Sequence, residues 1–282
     1  MKWTPGSSSD DIEDRRDEGG GGGGGGFQIG GGHIGIGGLI LLGALSLIFK
    51  RDLLTPFLGT SSGPTTTANR ADPARTQAEK PLVEFVTFVF DDVQASWQKT
   101  LPNYRHAKLV LFRDQTQSSC GTAETATGPF YCPGDEKVYI DLGFYDELRQ
   151  RFGAPGQFAQ AYVLAHELGH HVQKLIGIEE KVRQAQESNP SQANALSVKL
   201  ELQADCFAGI WAKTTEQRNL LEAGDVESGL GAAASVGDDR IQKMAGRRVN
   251  PETFTHGSSA QRVQWFRTGM ESGTIQSCNT FN

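Results

Sequence analysis

The sequence predicts an α+β fold, predominantly helical with a small sheet, on three observations. From residue 157 onward apolar residues recur at 3- and 4-residue steps, the period of a helix packed on one face. Only two short runs, residues 108–113 and 138–142, have the apolar, β-branched character of strands. A change of composition near residue 80 then separates about 200 residues, a usual size for one domain with its own core, from a glycine-rich N-terminus.

Taken from the start, residues 1–18 are polar and mixed in charge, and residues 19–26 are an unbroken glycine run. Such a stretch buries too little to offset the entropy of ordering, so residues 1–26 are expected to be disordered. Residues 27–49 are apolar or Gly, Ala or Ser apart from Gln28 and His33, about 34 Å if helical, against a hydrocarbon core of about 30 Å. They are read as a single transmembrane anchor. The competing reading is a cleaved signal peptide, but Lys50-Arg51-Asp52 follows directly and no small-x-small cleavage site is evident. Basic residues lie on both sides of the stretch and leave the orientation open. Residues 50–80, rich in Thr, Ser, Pro and Ala, read as a linker, and residues 81–282 as the folded domain.

In that domain residues 81–101 read as a helix with Phe85, Phe88 and Trp97. The strand around Tyr139-Ile140-Asp141 is either an edge that could pair with an extended peptide or a fully paired internal strand. Pro155-Gly156 marks the start of the next helix, Phe158, Ala161, Tyr162, Ala165 and Leu168 form its apolar stripe, and Gly177 is available to end it. Within it stands His166-Glu167-Leu168-Gly169-His170. Side chains four apart on a helix lie roughly 5 to 6 Å from one another, close enough for two imidazoles to share one metal. Glu167 then falls where a carboxylate reaches a metal-bound water without being a ligand, the zincin arrangement. The plain alternative is a surface helix with two solvated histidines, which the strong apolar stripe opposes.

Catalytic zinc usually takes three protein ligands. The metzincin pattern would place Gly and His at positions held here by Gln173 and Ile176, and is excluded. The other common source is a carboxylate on a second helix, and Leu200-Glu201-Leu202-Gln203-Ala204-Asp205-Cys206 lies in one that starts near Asn189-Pro190-Ser191 and runs to about Lys213. Glu201 is the candidate third ligand. Asp205, one turn further on, can accept the second ring N–H of a ligand histidine and fix its tautomer. The alternative is an amphipathic helix whose acids face solvent.

The strings GPFYCP, VYIDLGFY, RFGAPGQFAQAYVLAHELGHHVQ, LELQADCFAGIWA and THGSSAQRVQWF, within residues 81–281, resemble the predicted neutral zinc metallopeptidase family of bacteria, the YpfJ type. That family is similar to the gluzincin peptidases. The resemblance implies His166, His170 and Glu201 as zinc ligands and Glu167 as catalytic base, with the N-terminal membrane segment also typical of the group.

An activated water attacking a peptide carbonyl leaves an oxyanion that needs a further donor. His256, in the turn-like Thr255-His256-Gly257-Ser258-Ser259, is the candidate; a satisfied structural histidine is the alternative. Arg262, on the probable helix that follows, is read as a buried ion-pair partner of Asp205 or Glu201. His171 sits about 100° around the helix from His170, so it is assigned to packing or support, while His33 and His106 show no pattern. Asp225 is a candidate helix cap.

The four cysteines, Cys120, Cys132, Cys206 and Cys278, allow three pairings; an even count in a tethered domain fits an oxidising compartment, with free buried thiols as the alternative. The net charge of −6 and the lack of a basic cluster argue against a nucleic-acid partner. The reading is therefore a membrane-anchored zinc metalloendopeptidase acting on peptides or proteins, single-pass in the bacterial inner membrane, with its domain on the periplasmic or extracellular side. A catalytically silent binding module stapled by the same zinc is the alternative, against which Glu167 counts, since a structural site needs no base. Oligomeric state is not readable.

Overall fold

Lys108–Phe112 (KLVLF) and Lys137–Asp141 (KVYID) are almost continuous runs of apolar residues, as strands covered on both faces require. In the computed structural model, which describes residues 1–6, 8–18, 73–125, 128–154 and 156–281, they are strands β2 and β6. The four-stranded sheet has the order β1-β2-β6-β5, with β1 at Ile12–Asp14 and β5 at Phe130–Cys132. β1 and β6 run parallel to β2, and β5 runs antiparallel to β6.

The two faces are told apart by the period of two. Leu109, Leu111, Val138 and Ile140 point into the main core with the helices. Val110, Phe112 and Tyr139 join Ala123 and Cys132 in a smaller cluster on the other face. Ala123 comes from a separate hairpin, β3 (Gln115–Ser118) and β4 (Gly121–Glu124), and the Cys120–Cys132 disulfide fastens its turn to β5.

The helices are α1 (Pro73–Thr100), α2 (Gly143–Gln150), α3 (Gln157–Leu175), α4 (Ile178–Ser188), α5 (Ala193–Gln217), α6 (Asp225–Ser235), α7 (Asp238–Met244) and α8 (Ser259–Ser272). α3 starts after Gly156, whose φ of 119° few other residues adopt, and stops just before Gly177. Phe158 stacks on Trp211 and Trp97 meets Phe207 edge-on, so α1, α3 and α5 share one aromatic core. Each such fully buried side chain contributes about 1.5–3 kcal/mol from area alone.

Two contacts set the helix spacing. A Cβ on Gly209 would lie 2.0 Å from the Phe266 carbonyl oxygen and one on Gly269 would lie 1.9 Å from that of Cys206, so α5 and α8 touch backbone to backbone. A Cβ on Gly169 would come within 3.0 Å of the Ala204 carbonyl oxygen, so α3 and α5 approach almost as closely.

The helix-rich α+β class is as read, and several boundaries change. Residues 1–6 and 8–18 are ordered, against the expectation for 1–26: β1 extends the sheet, and Trp3 packs against Phe85 and Phe88. The end of the expected linker, residues 73–80, forms the first turns of α1, where Glu79 binds Arg16 and Arg113. Those partners are remote in sequence, so composition gave no sign of them. The strand Tyr139-Ile140-Asp141 is internal, between β2 and β5, and among the described residues the edges of the sheet are β1 and β5. Asp225 sits one residue inside α6 and accepts from the Glu222 amide, while Gly224 holds the cap position. The glycine run at 19–26, the proposed span at 27–49, linker residues 50–72 and His33 lie outside the described residues. Among the described residues no helix is long and apolar enough to cross a membrane.

Candidate metal centre

α3 and α5 carry the groups that converge. His166 and His170 lie one turn apart with their rings perpendicular and 4.8 Å between centroids. The missing side chain at Gly169 lets α5 close in, and Glu201 meets both rings: its Oε2 lies 3.2 Å from His166 Nε2 and its Oε1 3.4 Å from His170 Nε2. One ligand atom from each of the three can be chosen so that all fall within 4.8 Å of one another.

The donor set fits zinc. Two nitrogens and one carboxylate oxygen at bonds of about 2.0–2.1 Å around a tetrahedral ion stand roughly 3.3 Å apart, the scale of the two separations above. The Nδ1 atom of each ring is also engaged elsewhere, which leaves both Nε2 atoms for the shared point. His166 Nδ1 donates to Asp205 Oδ1 at 2.9 Å, and His170 Nδ1 donates to Gln173 Oε1 at 2.8 Å. Such partners fix tautomer and ring orientation.

Asp205 is fully buried and has further donors. Arg262, 3% exposed, clasps it with Nε at 2.8 Å and Nη2 at 2.9 Å, and the Tyr162 hydroxyl also donates to it. Burial opposes the charge on Asp205, but Arg262 and His166 outweigh it and hold the carboxyl below its usual range. Burial likewise disfavours a charged His166, yet the Asp205 and Glu201 carboxylates push its imidazole up to about 10. Glu201, despite burial, is held well below the usual range by the two imidazoles. A cation is favoured at this point, and a metal would displace the proton that His166 otherwise takes up.

Glu167 points to a different use. It is 8% exposed, burial raises its pKa above the ordinary carboxylate value, and the backbone of Tyr131 in β5 hydrogen-bonds to it. It lines a cavity of about 420 Å³ together with His166, His170, Glu201, His256 and Arg262. Phe130, Phe144, Phe152, Val163 and Ile241 supply an apolar wall to the same cavity.

His256 reaches the cavity from the loop before α8 and contributes to the field at Glu201. Asp238, at the first turn of α7, fixes it: one carboxylate oxygen accepts the backbone N–H groups of Thr255, His256 and Gly257 at 2.7–3.0 Å, and the other lies 3.2 Å from His256 Nδ1. α8 then begins with a capping box between Ser258 and Gln261, which sets Arg262 into the core beside Asp205.

Sequence reasoning missed three positioning residues. Asp238 had only its place in a helix start to mark it. Gln173 and Gln203 form a relay behind His170, in which Gln173 Nε2 donates to Leu200 O at 2.7 Å and to Gln203 Oε1 at 3.1 Å, and Gln203 Nε2 donates to Cys278 O at 2.9 Å. The Cys206–Cys278 disulfide anchors the end of that relay. The spacing of Gln173, three after His170, was the available signal. His171 does no metal work: its Nε2 donates to Arg105 O at 2.7 Å, so its Nδ1 accepts from the Tyr131 hydroxyl at 2.9 Å. His106, which showed no partner in sequence, pairs with Asp11 at 2.6 Å.

The family described as "Putative neutral zinc metallopeptidase" matches residues 1–281. The chain is similar to "Uncharacterized protein YpfJ" of Escherichia coli (strain K12), 43% identical over 288 residues that cover 100% of this chain and 99% of the relative. It is also similar to "Uncharacterized protein Rv2575" of Mycobacterium tuberculosis (strain ATCC 25618 / H37Rv), 43% identical over 203 residues, 68% of each chain. No solved structure matches.

Proposed function

The chain belongs to this zinc metallopeptidase family, and on that premise we propose that it is an endopeptidase in which His166, His170 and Glu201 hold Zn2+ and Glu167 is the general base. The reading rests on one observation, the convergence of the two Nε2 atoms and the Glu201 carboxylate beside a buried acid on the same cavity. Zinc so held supplies a water of lowered pKa and polarises the peptide carbonyl.

The chain's own groups do the rest. Glu167, whose burial raises its affinity for a proton, takes one from the attacking water and hands it to the leaving amine. Burial opposes charge on His256, but the Asp238 and Glu201 carboxylates raise its pKa, so the ring can carry both protons: Nδ1 donates to Asp238 and Nε2 donates toward the carbonyl oxygen as charge builds there, a contribution of about 3–4 kcal/mol for donors of this kind. Arg262 does not act on substrate; it neutralises Asp205 and so steadies His166.

β5 is an edge of the sheet and lines the cavity, so an extended peptide can lie along Phe130–Cys132 by adding a strand. The apolar wall formed by Phe130, Phe144, Phe152, Val163 and Ile241 selects a large apolar side chain next to the cut bond. Both disulfides support an oxidising compartment for the working domain, on the periplasmic or extracellular side.

The test is Glu167→Ala, with zinc content and cleavage of a peptide library measured together. Retained zinc with lost cleavage is the expected result. Undiminished cleavage would remove the base assignment, and a zinc-loaded parent that cuts nothing would leave a zinc-stapled binding module.

A further inference from the structure

The N-terminal residues join the catalytic domain through a built interface. β1 pairs with β2 in parallel, with the Leu109 amide on Asp11 O at 2.7 Å and the Arg15 amide on Leu111 O at 2.8 Å. Asp11 also binds His106 and Lys108, and Glu13 binds Lys137. Without β1, one side of β2 would be left without a strand partner.

The described residues stop at 18 and resume at 73, and these two points are clamped together. Arg16 and Arg113, with side chains 5% and 8% exposed, both bind Glu79 Oε2, at 2.7 and 2.8 Å. Arg113 also reaches Asp17 at 2.9 Å, and Thr76 Oγ1 donates to Asp17 at 3.0 Å. The two points are thus tied by direct side-chain contacts among residues 16–17, 76–79 and Arg113.

A single crossing of a bilayer by residues 27–49 would put residues 1–18 and the catalytic domain on opposite sides. β1 could not then pair with β2. Two crossings would need about twice the apolar length, since 23 residues reach about 34 Å and one core is about 30 Å thick. We propose that residues 1–18 and the catalytic domain occupy the same side of any bilayer the chain meets, so that the apolar stretch makes no net crossing. The N-terminal piece is then part of the exported domain.

The experiment uses the full-length protein in the cells that make it, with a single added cysteine at exposed Ser8 or at exposed Arg267, and a membrane-impermeant maleimide applied before and after permeabilisation. Equal reactivity of the two positions before permeabilisation is the expected result. Labelling of one position only after permeabilisation, with the other open beforehand, would overturn the proposal. Hydrogen exchange of the same membrane-resident chain gives an independent check, because the Arg15 and Leu109 amides should be protected. Exchange of residues 11–15 at the rate of an unstructured peptide would overturn it as well.

Discussion

Asp205→Asn is the substitution that tests most directly how the metal centre is supported. The carboxylate accepts from Arg262 twice, from His166 Nδ1 at 2.9 Å and from the Tyr162 hydroxyl, with no exposure to water. An asparagine keeps the shape but removes the charge and turns one acceptor into a donor that faces other donors. Arg262 would remain ionised, since burial alone does not neutralise a guanidinium, and would lie 3% exposed without a counter-charge. Breaking one side of a buried pair in this way costs about 3–5 kcal/mol. At about 2–4 °C per kcal/mol for a domain of this size, the midpoint should fall by roughly 6–20 °C. Zinc affinity should fall by about 10–100-fold, because His166 loses the group that holds its tautomer. Urea unfolding and a zinc competition titration read the two effects, and adding Arg262→Met should recover part of the stability but not the affinity. A single variant with an unchanged midpoint and unchanged zinc affinity would refute the account.

Gln173→Leu should leave the fold in place and weaken zinc by about 10-fold or more, because His170 loses its Nδ1 acceptor; equal affinity in the titration would reassign the relay. His256→Ala should lower turnover by about 100- to 1000-fold with zinc content intact, and loss of metal instead would make His256 a ligand or a structural support. For protein stripped of metal by a chelator, His166 has a folded-state pKa of about 10 against 6.5 for the free side chain. The stability it contributes is therefore complete below about pH 6.5 and is lost as pH rises toward 10. Glu201 and Asp205 are shifted downward, so their contribution is present above the ordinary carboxylate range and is lost on acidification. Thermal midpoints of the chelated protein across this range should form a plateau between those limits, and a midpoint still rising from pH 7 to 10 would contradict the His166 environment.

What the sequence revealed of the site was whatever one helix or two helices could state by period. His166, Glu167 and His170 are fixed by a turn of α3, and Glu201 and Asp205 by a turn of α5, so their grouping followed once the two helices were taken as neighbours. Arg262 was placed against Asp205 or Glu201 by the rule that a buried acid needs a partner, and it is Asp205 that it clasps. Asp238 and Gln203 could not be found this way, since each works through a contact with a loop or tail distant in the chain. Strand β5 was missed because three residues carry too little alternation to show a period, and because its edge position is a property of the whole sheet. β1 failed for a different reason. Its sequence, Ile12-Glu13-Asp14, is acidic and reads as solvated; in the fold it pairs with β2 while Lys137 takes Glu13, and Lys108 and Arg113 take the flanking Asp11 and Asp17.

The contact of Gly169 with Ala204 limits which ions the centre can accept. With only the Ala204 methyl beside the two backbones, the gap between α3 and α5 has little that can compress or expand. Calcium, at 2.3–2.6 Å from six to eight oxygens, would need the jaws opened and more ligands than the two helices offer. Discrimination among ions of zinc's own size is left to the nitrogen-rich chemistry of the ligands, whereas the close helix crossing works against larger ones.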